Sequence, residues 1–559
     1  MSTPETGIPG TGRTDDAGAR GTSVRPPRRG AGAGAGIGRH ALAGVVAAAL
    51  MFGTAQFLSA FFAPLSSPLA AAGAWFIDIT PAWLKDFAIG LFGTADKIAL
   101  GVGIGLVALA GAAVIGILAR RSLRAASVLV VLIGIALMAA VSTRAGTTTV
   151  DLLPTVVGTI VGLGALHWLT GLAARSIPSR STAAPAEEGR AGQAVAGEAT
   201  TPAPDRRAFL KAAAFGGAAA VVLAIGGRVV EAARGGIRQV REAIRLPAPA
   251  RPAAPLPAGV QAPVAGMPPY TTPNGEFYRI DTALVVPQVD PNSWRLRVHG
   301  MVEQEVELGY AELMESELVE ADVTLTCVSN AVGGDLAGNA RWLGLPIRQV
   351  LERARPLPGA DMVLSTSADG FSASTPLEVL RDGRNALLAV GMNGEPLPLE
   401  HGFPVRMVVP GLYGYVSATK WVVDLEITRF ADAKAYWTVR GWDAHGPIKL
   451  ASRIDVPRGF VRLPAGTVDL GGTAWAQGTG ISRVEVQLDG GEWREAVLAA
   501  EATVDSWRQW SYRWEDAEPG DHTVRVRAYD ASGTQQTSER ADPAPNGASG
   551  WHEVRFSVG

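Results

Sequence analysis

The chain has 559 residues, which favours several modules over one compact unit. Charged residues make up 18% and hydrophobic residues 47%, and the mean hydropathy is +0.17, so part of the chain is expected to lie in lipid. Lys and Arg number 50 against 52 Asp and Glu, which excludes a whole-chain nucleic-acid binder held by counterion release. The single cysteine, Cys327, excludes an internal disulfide framework, a CxxC redox pair and an iron-sulfur cluster with four cysteine ligands.

The N-terminal third predicts a tail followed by a membrane block. Residues 1–39 are rich in Gly, Arg, Thr and Pro, a composition that buries too little apolar surface to fold, so we expect a disordered cytoplasmic tail. Four apolar stretches follow within residues 40–175, and each can cross a hydrocarbon core of ~30 Å or nearly so. They are residues 41–62, 98–119, 125–141 and 150–174.

Positive charge orients this four-helix block. Basic residues precede the first span and fill the tight loop between spans two and three, and both positions are expected in the cytoplasm. They are Arg28, Arg29 and Arg39, then Arg120, Arg121 and Arg124. An even number of crossings returns residues 176–205 to the cytoplasm, where their Ala, Pro, Ser and Gly content predicts a linker.

Residues 206–245 begin with a pair of arginines and continue as an apolar run. The segment DRRAFLK, residues 205–211, resembles a twin-arginine export signal with Arg206 and Arg207 as the pair. That route exports folded, cofactor-loaded domains, so it predicts a cofactor domain outside the cytoplasm. The alternative is an ordinary fifth membrane helix with basic flanking residues. Arg228 and four later arginines follow the run and oppose the positive-inside bias.

The remaining residues divide into a linker and two soluble domains. Residues 246–273 are Pro-rich and are interpreted as a stiff polyproline spacer. Residues 274–432 alternate short apolar runs with turns and include a helical segment near 345–353, which predicts an α+β domain. Residues 433–559 carry strands of period-two alternation and a turn at Asp489-Gly490, and these predict an immunoglobulin-like β-sandwich.

Two motifs within residues 274–432 carry the chemistry. A lone cysteine is most often a small buried hydrophobe, but Cys327 stands in TLTCVSNAVGGDLAGNARWLGLPI, and a second motif reads LLAVGMNGEPLPLEHGFPVRMVVPGLYGYVSATKW. Both motifs resemble the molybdopterin-binding domain of the sulfite oxidase family. The β-sandwich after them resembles that family's dimerisation domain. The resemblance covers about residues 270–559 and does not extend to the membrane block.

The resemblance implies a molybdenum-molybdopterin cofactor and assigns residues to it. Cys327 matches the thiolate ligand of molybdenum, as both a catalytic and a metal-binding residue. Arg406 matches the arginine that binds the pterin phosphate. His401 lies at a pterin-contact position, although a histidine that only caps a turn is the alternative.

Further cofactor-binding residues follow from the same resemblance. Ser417, Thr419 and Lys420 match an element whose hydroxyl and ammonium complete the cofactor site, although this sequence is one residue longer there. Phe277, Tyr278 and Arg279 match the segment that lies over the pterin in the family. Asn330 lies three residues after the ligand cysteine. A plain core role for Phe277 is the alternative.

The substrate pocket departs from the family pattern at three positions. Ile280 stands where sulfite oxidases carry an arginine that faces the anion, and Val390 stands where they carry an active-site tyrosine. Asp335 replaces part of a basic run after the ligand cysteine and is expected to act at the catalytic centre. A doubly charged anion would find less compensation in such a pocket.

The sequence therefore predicts a multi-pass cell-membrane protein whose catalytic domain lies outside the cytoplasm and transfers oxygen atoms in two-electron steps. One alternative is a reductase of S-oxides or N-oxides, including protein methionine sulfoxide, on the same cofactor. Another is a non-catalytic cell-envelope binding module. The spans contain only His167, with His40 at the edge, so a separate cytochrome or quinone-linked electron partner is expected. We also expect contact with membrane lipid and a homodimer formed through the C-terminal domain. No nucleic-acid partner is expected.

Changing both Arg206 and Arg207 to Lys tests the export signal. We expect the four-span block to stay in the membrane while the catalytic half remains cytoplasmic, because lysines keep the charge but not the arginine pair. Protease accessibility on spheroplasts measures this. The matched control is the double Lys variant of Arg120 and Arg121. Unchanged exposure of the catalytic half in the first variant would make the segment an ordinary fifth helix.

Overall fold

The structure is a computed structural model, and it describes residues 31–62, 66–80, 96–143, 149–175, 206–233, 236–283 and 286–559. The expected cytoplasmic linker, 176–205, and most of the expected disordered tail, 1–30, lie outside the described residues. Residues 31–39 belong to the first helix, so the helical block begins earlier than the sequence predicts.

The described part of the N-terminal half is helical. Five of its helices are long and apolar enough to cross a membrane, which agrees with four spans followed by a fifth. The helices are α1 (Ala31–Ser59), α2 (Pro68–Ile79), α3 (Asp96–Arg121), α4 (Leu123–Ser142), α5 (Leu153–Arg175), α6 (Arg206–Ala233) and α7 (Gly236–Ala243).

Helix α1 lies at the centre of the block and packs against α3, α5 and α6. Small residues permit this packing. A Cβ atom built on Gly44 of α1 would lie 2.7 Å from the backbone nitrogen of Gly116 in α3, so only glycine allows these two backbones to approach so closely. Close approach of backbones through small residues is how helices associate where lipid supplies no hydrophobic drive.

The domain that the sequence predicts to be catalytic contains two sheets. One has the strand order β2-β1-β10-β5-β6, and the other has the order β3-β4-β7-β8 with β9 also paired to β7. A hydrophobic core fills the space between them, and a second core covers the other face of the β3-β4-β7 sheet. This sheet is therefore buried on both faces, which explains its continuous apolar runs.

The elements of this domain include the helical segment that the sequence predicts near residues 345–353. The strands are β1 (Arg295–Gly300), β2 (Val306–Gly309), β3 (Val319–Thr326), β4 (Ala337–Pro346), β5 (Met362–Ser367), β6 (Ser372–Pro376), β7 (Leu387–Met392), β8 (Glu395–Pro396), β9 (Arg406–Val408) and β10 (Val422–Thr428). The helices are α8 (Tyr310–Glu315), α9 (Ile347–Ala354) and α10 (Gly414–Ser417).

The C-terminal domain consists of two sheets that share one core, with strand orders β11-β13-β17-β16 and β12-β19-β18-β14-β15. Its strands are β11 (Ala451–Val456), β12 (Arg462–Leu463), β13 (Gly466–Trp475), β14 (Ile481–Leu488), β15 (Trp493–Glu495), β16 (Val497–Leu498), β17 (Arg508–Ala517), β18 (Gly520–Asp530) and β19 (His552–Val558). Val484 and Val486 of β14 are fully buried. The hairpin turns at Asp489 and Gly490, both with positive φ, as a primed turn requires. Kinship with immunoglobulin folds stays a prediction.

Residues 433–450 pack against the domain that precedes them and not against the C-terminal domain alone. The sequence places the domain boundary at 432, but the first strand of the C-terminal domain begins at Ala451. In the intervening segment Trp437, Trp442 and Ile448 pack against the core of the catalytic domain. This segment therefore contributes to the site described below.

The Pro-rich segment 246–273 is not the free spacer that its composition suggests. Its backbone bonds along β3: the Ala250 N–H donates to the Leu318 carbonyl at 2.8 Å, and the Glu320 N–H donates to the Arg251 carbonyl at 2.9 Å. A polyproline chain makes no internal hydrogen bonds, so its carbonyls are free to pair with an edge strand. The segment covers an edge that would otherwise be open.

Helix α7 precedes this segment and docks on the same domain. Arg241 donates from Nε to the Leu397 carbonyl at 2.8 Å and from Nη2 to the Pro396 carbonyl at 2.6 Å. It also pairs with Glu395 at 3.0 Å. Ile237 packs on the core beside β3. The chain is therefore attached to the catalytic domain from α7 onward.

The Gln509→Ala variant tests the attachment of residues 246–273. Gln509 is fully buried; its Oε1 accepts from the Ala262 N–H at 2.8 Å, and its Nε2 donates to the Pro268 carbonyl at 2.9 Å. Losing both bonds should destabilise the protein by about 2–4 kcal/mol and speed elastase cleavage of the segment. The exposed Gln304→Ala is the control. Equal melting and cleavage in the two variants would restore the spacer interpretation.

Candidate active site

One cavity brings together side chains from six segments of the chain. It lies at the end of β3. It is surrounded by the loop that follows β3, by the segment before Ala283, and by the loops that follow β5, β8, β9 and β10. Its lining consists of Phe277, Tyr278, Ile280, Asp281, Thr282, Cys327, Val328, Ser329, Ser367, Asp369, Phe371, His401, Arg406, Gly414, Tyr415, Ala418, Lys420, Trp421, Trp437 and Trp442.

Cys327 is presented by the end of β3. Its N–H donates to the Leu336 carbonyl at 2.9 Å, and its carbonyl accepts from the Asn330 N–H at 3.1 Å. Burial raises the pKa of the thiol, while hydrogen bonds from Ser329 oppose that rise. Desolvation dominates at this thiol, so the protein alone does not favour the thiolate.

Arg406 on β9 is a buried cation that faces the cavity. Its guanidinium donates to three carbonyls, those of Met407 at 3.3 Å, His401 at 3.2 Å and Ala418 at 3.4 Å. Burial lowers its pKa to about 10. Among the described residues no carboxylate forms an ion pair with it. A buried charge without a counter-charge is costly, so the site is built for an anionic group.

Lys420 is the second cation, and unlike Arg406 it has a carboxylate partner. Its Nζ donates to Asp281 Oδ2 at 2.9 Å and to the Glu400 carbonyl at 3.2 Å. Burial lowers its pKa to about 8, against the opposing effect of Asp281. Asp281 also accepts from Arg279 Nε at 2.8 Å, so this carboxylate already carries two cationic neighbours.

His401 is held neutral between these cations. Burial lowers its pKa to about 4, and the charge of Arg406 adds to the effect. Its Nε2 lies 3.0 Å from the Asn274 carbonyl, which can only accept, so Nε2 carries the proton and Nδ1 is an acceptor. Its ring meets the Phe277 ring edge-to-face at 5.6 Å. His401 is thus a polar contact within the cavity and not a turn cap alone.

Comparison with known proteins identifies the domain around this cavity. Residues 283–437 match the sequence profile of the oxidoreductase molybdopterin binding domain. Mouse mitochondrial sulfite oxidase is 30% identical over 341 residues, which cover 52% of this chain and 62% of that protein. Residues 283–437 form a molybdopterin-binding domain of the sulfite oxidase family.

The chain is similar to further proteins, and each match covers only part of the protein concerned. Chicken sulfite oxidase is 31% identical over 290 residues, or 44% of this chain and 62% of that protein. Rice nitrate reductase [NADH] 1 is 27% identical over 45% of this chain and 34% of its own length. The solved structure of the sulfane dehydrogenase SoxCD from Paracoccus pantotrophus has a TM-score of 0.43 at 24% identity, covering 48% of this chain and 75% of that one. The chain thus spans about 62% of the length of the first sulfite oxidases it matches.

The residues present fit the molybdenum-molybdopterin cofactor of this family. Arg406 supplies an uncompensated buried cation for its phosphate, and neutral His401 supplies a polar contact for its pterin. Cys327 supplies the one thiol of the chain, and a thiolate sulfur is the kind of ligand that suits molybdenum. Binding would require deprotonation of Cys327, as it does for any thiol that coordinates a metal.

Phe277 and Tyr278 line the cavity and also belong to the core beside β3. Their rings stack at 5.3 Å, and Phe277 also meets Trp342 edge-to-face at 5.8 Å. A Cβ on Gly338 would lie 2.7 Å from the Phe277 ring, so glycine at that position makes room for it. The two interpretations of Phe277, as a core residue and as a cofactor contact, are therefore compatible.

Five of the expected site residues lie outside the lining. Arg279 is 41% exposed in its side chain. Ser417 Oγ donates to the Leu412 and Tyr413 carbonyls, and Thr419 Oγ1 hydrogen-bonds Ser365 Oγ at 2.7 Å. The element 417–420 thus contributes Lys420 to the cavity, while its hydroxyls fix the surrounding backbone. The remaining two are Asn330 and Asp335.

Asn330 and Asp335 belong to the loop that follows Cys327. Asn330 Oδ1 accepts from the Leu336 N–H at 2.9 Å and so closes the loop. Asp335 is exposed, which does not support the catalytic role expected of it. The C-terminal domain holds this loop in place, since Arg453 Nη1 donates to the Gly334 carbonyl at 2.8 Å.

The substrate side of the cavity differs from the sequence expectation. Ile280 does line it and is half exposed, whereas Val390 is fully buried in the core between the sheets. Sequence reasoning missed the lining residues Asp369, Phe371, Tyr415, Trp437 and Trp442. The density of aromatic residues at 436–442 is the one signal that could have drawn attention to the last two.

The Cys327→Ser variant tests the metal-ligand assignment. The hydroxyl is a poor substitute for a soft thiolate, so molybdenum content and turnover should be lost, while circular dichroism and melting stay close to those of the cofactor-free protein. Ser482→Ala, on the exposed surface of the C-terminal domain, is a control. A Cys327→Ser variant with full molybdenum content and activity would contradict the assignment.

Proposed function

We propose that the chain is a membrane-anchored molybdopterin oxidoreductase whose catalytic domain lies outside the cytoplasm. The arginine distribution around the apolar helices supports the orientation, and Arg206 and Arg207 at the start of α6 support export by the twin-arginine route. The observation that carries the catalytic part is the cavity itself, which joins one buried thiol to an uncompensated guanidinium.

The bound cofactor supplies two-electron oxygen-atom transfer between water and substrate. The chain's residues would bind it: Arg406 would hold the phosphate, and Cys327 would offer its sulfur to the metal. Asp281 holds Lys420 in place through the 2.9 Å ion pair. Aromatic rings around these groups limit the access of water, which strengthens the electrostatic contacts within the cavity.

The charges left for a substrate argue against sulfite. Among the described residues the lining has two cations, Arg406 and Lys420; the cofactor phosphate takes the first, and Asp281 pairs with the second. Neither Arg279 nor Arg341 replaces the missing arginine. Arg279 lies outside the lining, and Arg341 pairs with Asp322 at 2.8 Å. Among the described residues, the lining therefore has no cation left free for a doubly charged anion.

This charge balance favours a second candidate, the reduction of a neutral S-oxide or N-oxide. Such a substrate needs no counter-cation, and the aromatic lining suits its apolar groups. Because several relatives are named sulfite oxidase, oxidation of a sulfur centre is the reaction against which this reduction is compared. A non-catalytic binding module remains as an outcome of the same assays.

The electron partner is proposed to be a separate cytochrome or quinone-linked protein. Before residue 299 the sequence has only two histidines, His40 and His167. Their rings bond to the Gly36 carbonyl and Ser127 Oγ, so they do not form a facing pair of the kind that binds haem through two histidines. Dimerisation through residues 433–559 is proposed on the family resemblance alone.

Steady-state assays of both directions on one molybdenum-replete sample test the function. We expect slow, weakly saturating oxidation of sulfite, because loss of an anion-binding arginine costs several kcal/mol and each 1.36 kcal/mol is about tenfold in rate. Reduction of a neutral S-oxide with reduced viologen should be at least about tenfold more efficient in kcat/KM. Efficient sulfite oxidation with no reductive turnover would contradict this account of the pocket, and inactivity in both directions would support a binding module.

A further inference from the structure

Part of the cavity is a continuous aromatic wall, formed by Phe371, Tyr436, Trp437, Trp442 and Tyr415. Successive ring centroids lie 5.8, 5.2, 6.2 and 6.0 Å apart in that order. All except Tyr436 line the cavity. Most of the wall comes from the segment after the catalytic domain and from the loop after β5, whereas the residues assigned to the cofactor come from elsewhere.

Tyr415 contributes its ring to this wall and not a free hydroxyl. Its OH donates to the Asp443 carbonyl at 2.6 Å. Trp437 and Trp442 meet edge-to-face, with an interplanar angle of 75°. Aromatic rings that meet at such angles present both faces and edges to a ligand, and ring faces attract cations.

Asp369 is a carboxylate in the same part of the lining. Its Oδ1 accepts from the Phe371 N–H at 3.3 Å, and its Oδ2 accepts from the Thr282 hydroxyl at 3.5 Å. No cation forms an ion pair with it among the described residues. The two cations of the lining are engaged elsewhere, Lys420 with Asp281 and Arg406 with neighbouring carbonyls.

The two halves of the cavity therefore have opposite electrostatic character. The half assigned to the cofactor has an uncompensated positive charge, and the aromatic half has ring faces together with the Asp369 carboxylate, which has no ion pair among the described residues. The Arg440 guanidinium lies over the ring of Tyr436 at 3.6 Å, but Tyr436 is the ring of the wall that does not line the cavity. We propose that the wall and Asp369 form a substrate subsite for an organic cation, such as a quaternary ammonium group carried by the S-oxide substrate. This inference rests on the reductive direction proposed above.

The reaction itself is unchanged by the cationic group. The S-oxide bond R2S=O breaks, two electrons arrive from two molecules of reduced viologen, and two protons from water complete the balance, giving R2S and H2O. The subsite binds the cation and thereby places the S=O group. Its effect should therefore appear as a preference among substrates that differ only in charge.

The test compares three methyl sulfoxides on the full-length, molybdenum-replete protein. One carries a 2-(trimethylammonio)ethyl group, the second carries the neutral isosteric 3,3-dimethylbutyl group, and the third carries a carboxylate on a chain of similar length. We expect kcat/KM for the cation to exceed that for the neutral isostere by about tenfold, and the anion to be the poorest substrate.

Two variants assign the preference to the subsite. Asp369→Asn and Trp437→Leu should each reduce the preference for the cation, measured as the ratio of kcat/KM for the cation to kcat/KM for the neutral isostere, to about threefold or less. Asp542→Asn, which removes an exposed carboxylate from the C-terminal domain, is the charge-matched control and should leave this ratio unchanged. Molybdenum content of each variant shows whether the cofactor half is intact.

Each outcome decides the inference. Equal turnover of the cation and the neutral isostere by wild-type protein would overturn the subsite and leave the proposed function standing. A preference that persists unchanged in both variants would overturn the assignment to Asp369 and Trp437. Absence of turnover with all three sulfoxides, on protein that contains molybdenum, would overturn the reductive function and the subsite with it.

Discussion

The compensation of buried charge in the cavity is the constraint on which the site depends. Two cations and one carboxylate are buried together at the ends of strands: Asp281 neutralises Lys420 at 2.9 Å, and Arg406 is left without a counter-charge among the described residues. Because a buried charge costs several kcal/mol unless it is paired, the protein alone carries a stored electrostatic cost. A cofactor phosphate would remove that cost, so cofactor binding and stability of the domain are linked.

Several parts of the fold hold this arrangement in place. β3 carries Cys327 to the cavity, and segments outside its own sheet hold this strand in place. Residues 250 and 251 of the Pro-rich segment bond to the start of its outer edge. The C-terminal domain bonds to it as well, since Gln477 Nε2 donates to the Thr324 carbonyl at 2.6 Å. Arg453 then holds the loop after the cysteine. The C-terminal domain therefore supports the site whether or not it also forms a dimer.

Much of this could be predicted from sequence, because the signals are local. Apolar length gives the five helices, period-two alternation gives strands such as β14, and the motif around HGFPVR leads to His401 and Arg406. The same motif reasoning finds Cys327 and Lys420. The helices and strands depend on short stretches of chain whose composition is itself the physical cause, whereas the four site residues were assigned through the resemblance of their motifs to a known family.

The rest depended on tertiary structure. A Pro-rich segment has the same composition whether it is free or lies along an edge strand, so 246–273 could not be read as attached. Asp335 faces solvent because Asn330 closes the loop on Leu336, and Ser417 and Thr419 turn toward backbone and Ser365. Trp437 and Trp442 reach the cavity from beyond the expected domain boundary, and the density of aromatic residues around them is the one local signal of a special role.

The uncompensated charge of Arg406 is the central claim, and one pair of melting curves tests it most directly. Wild type and Arg406→Met are each prepared without cofactor and compared. If the guanidinium is buried for an absent anion, replacing it with an apolar side chain of similar length should stabilise the cofactor-free protein by about 1–4 kcal/mol. The variant should then melt higher than wild type without cofactor and fail to gain stability when cofactor is supplied. A cofactor-free Arg406→Met protein that melts lower than cofactor-free wild type would contradict the account.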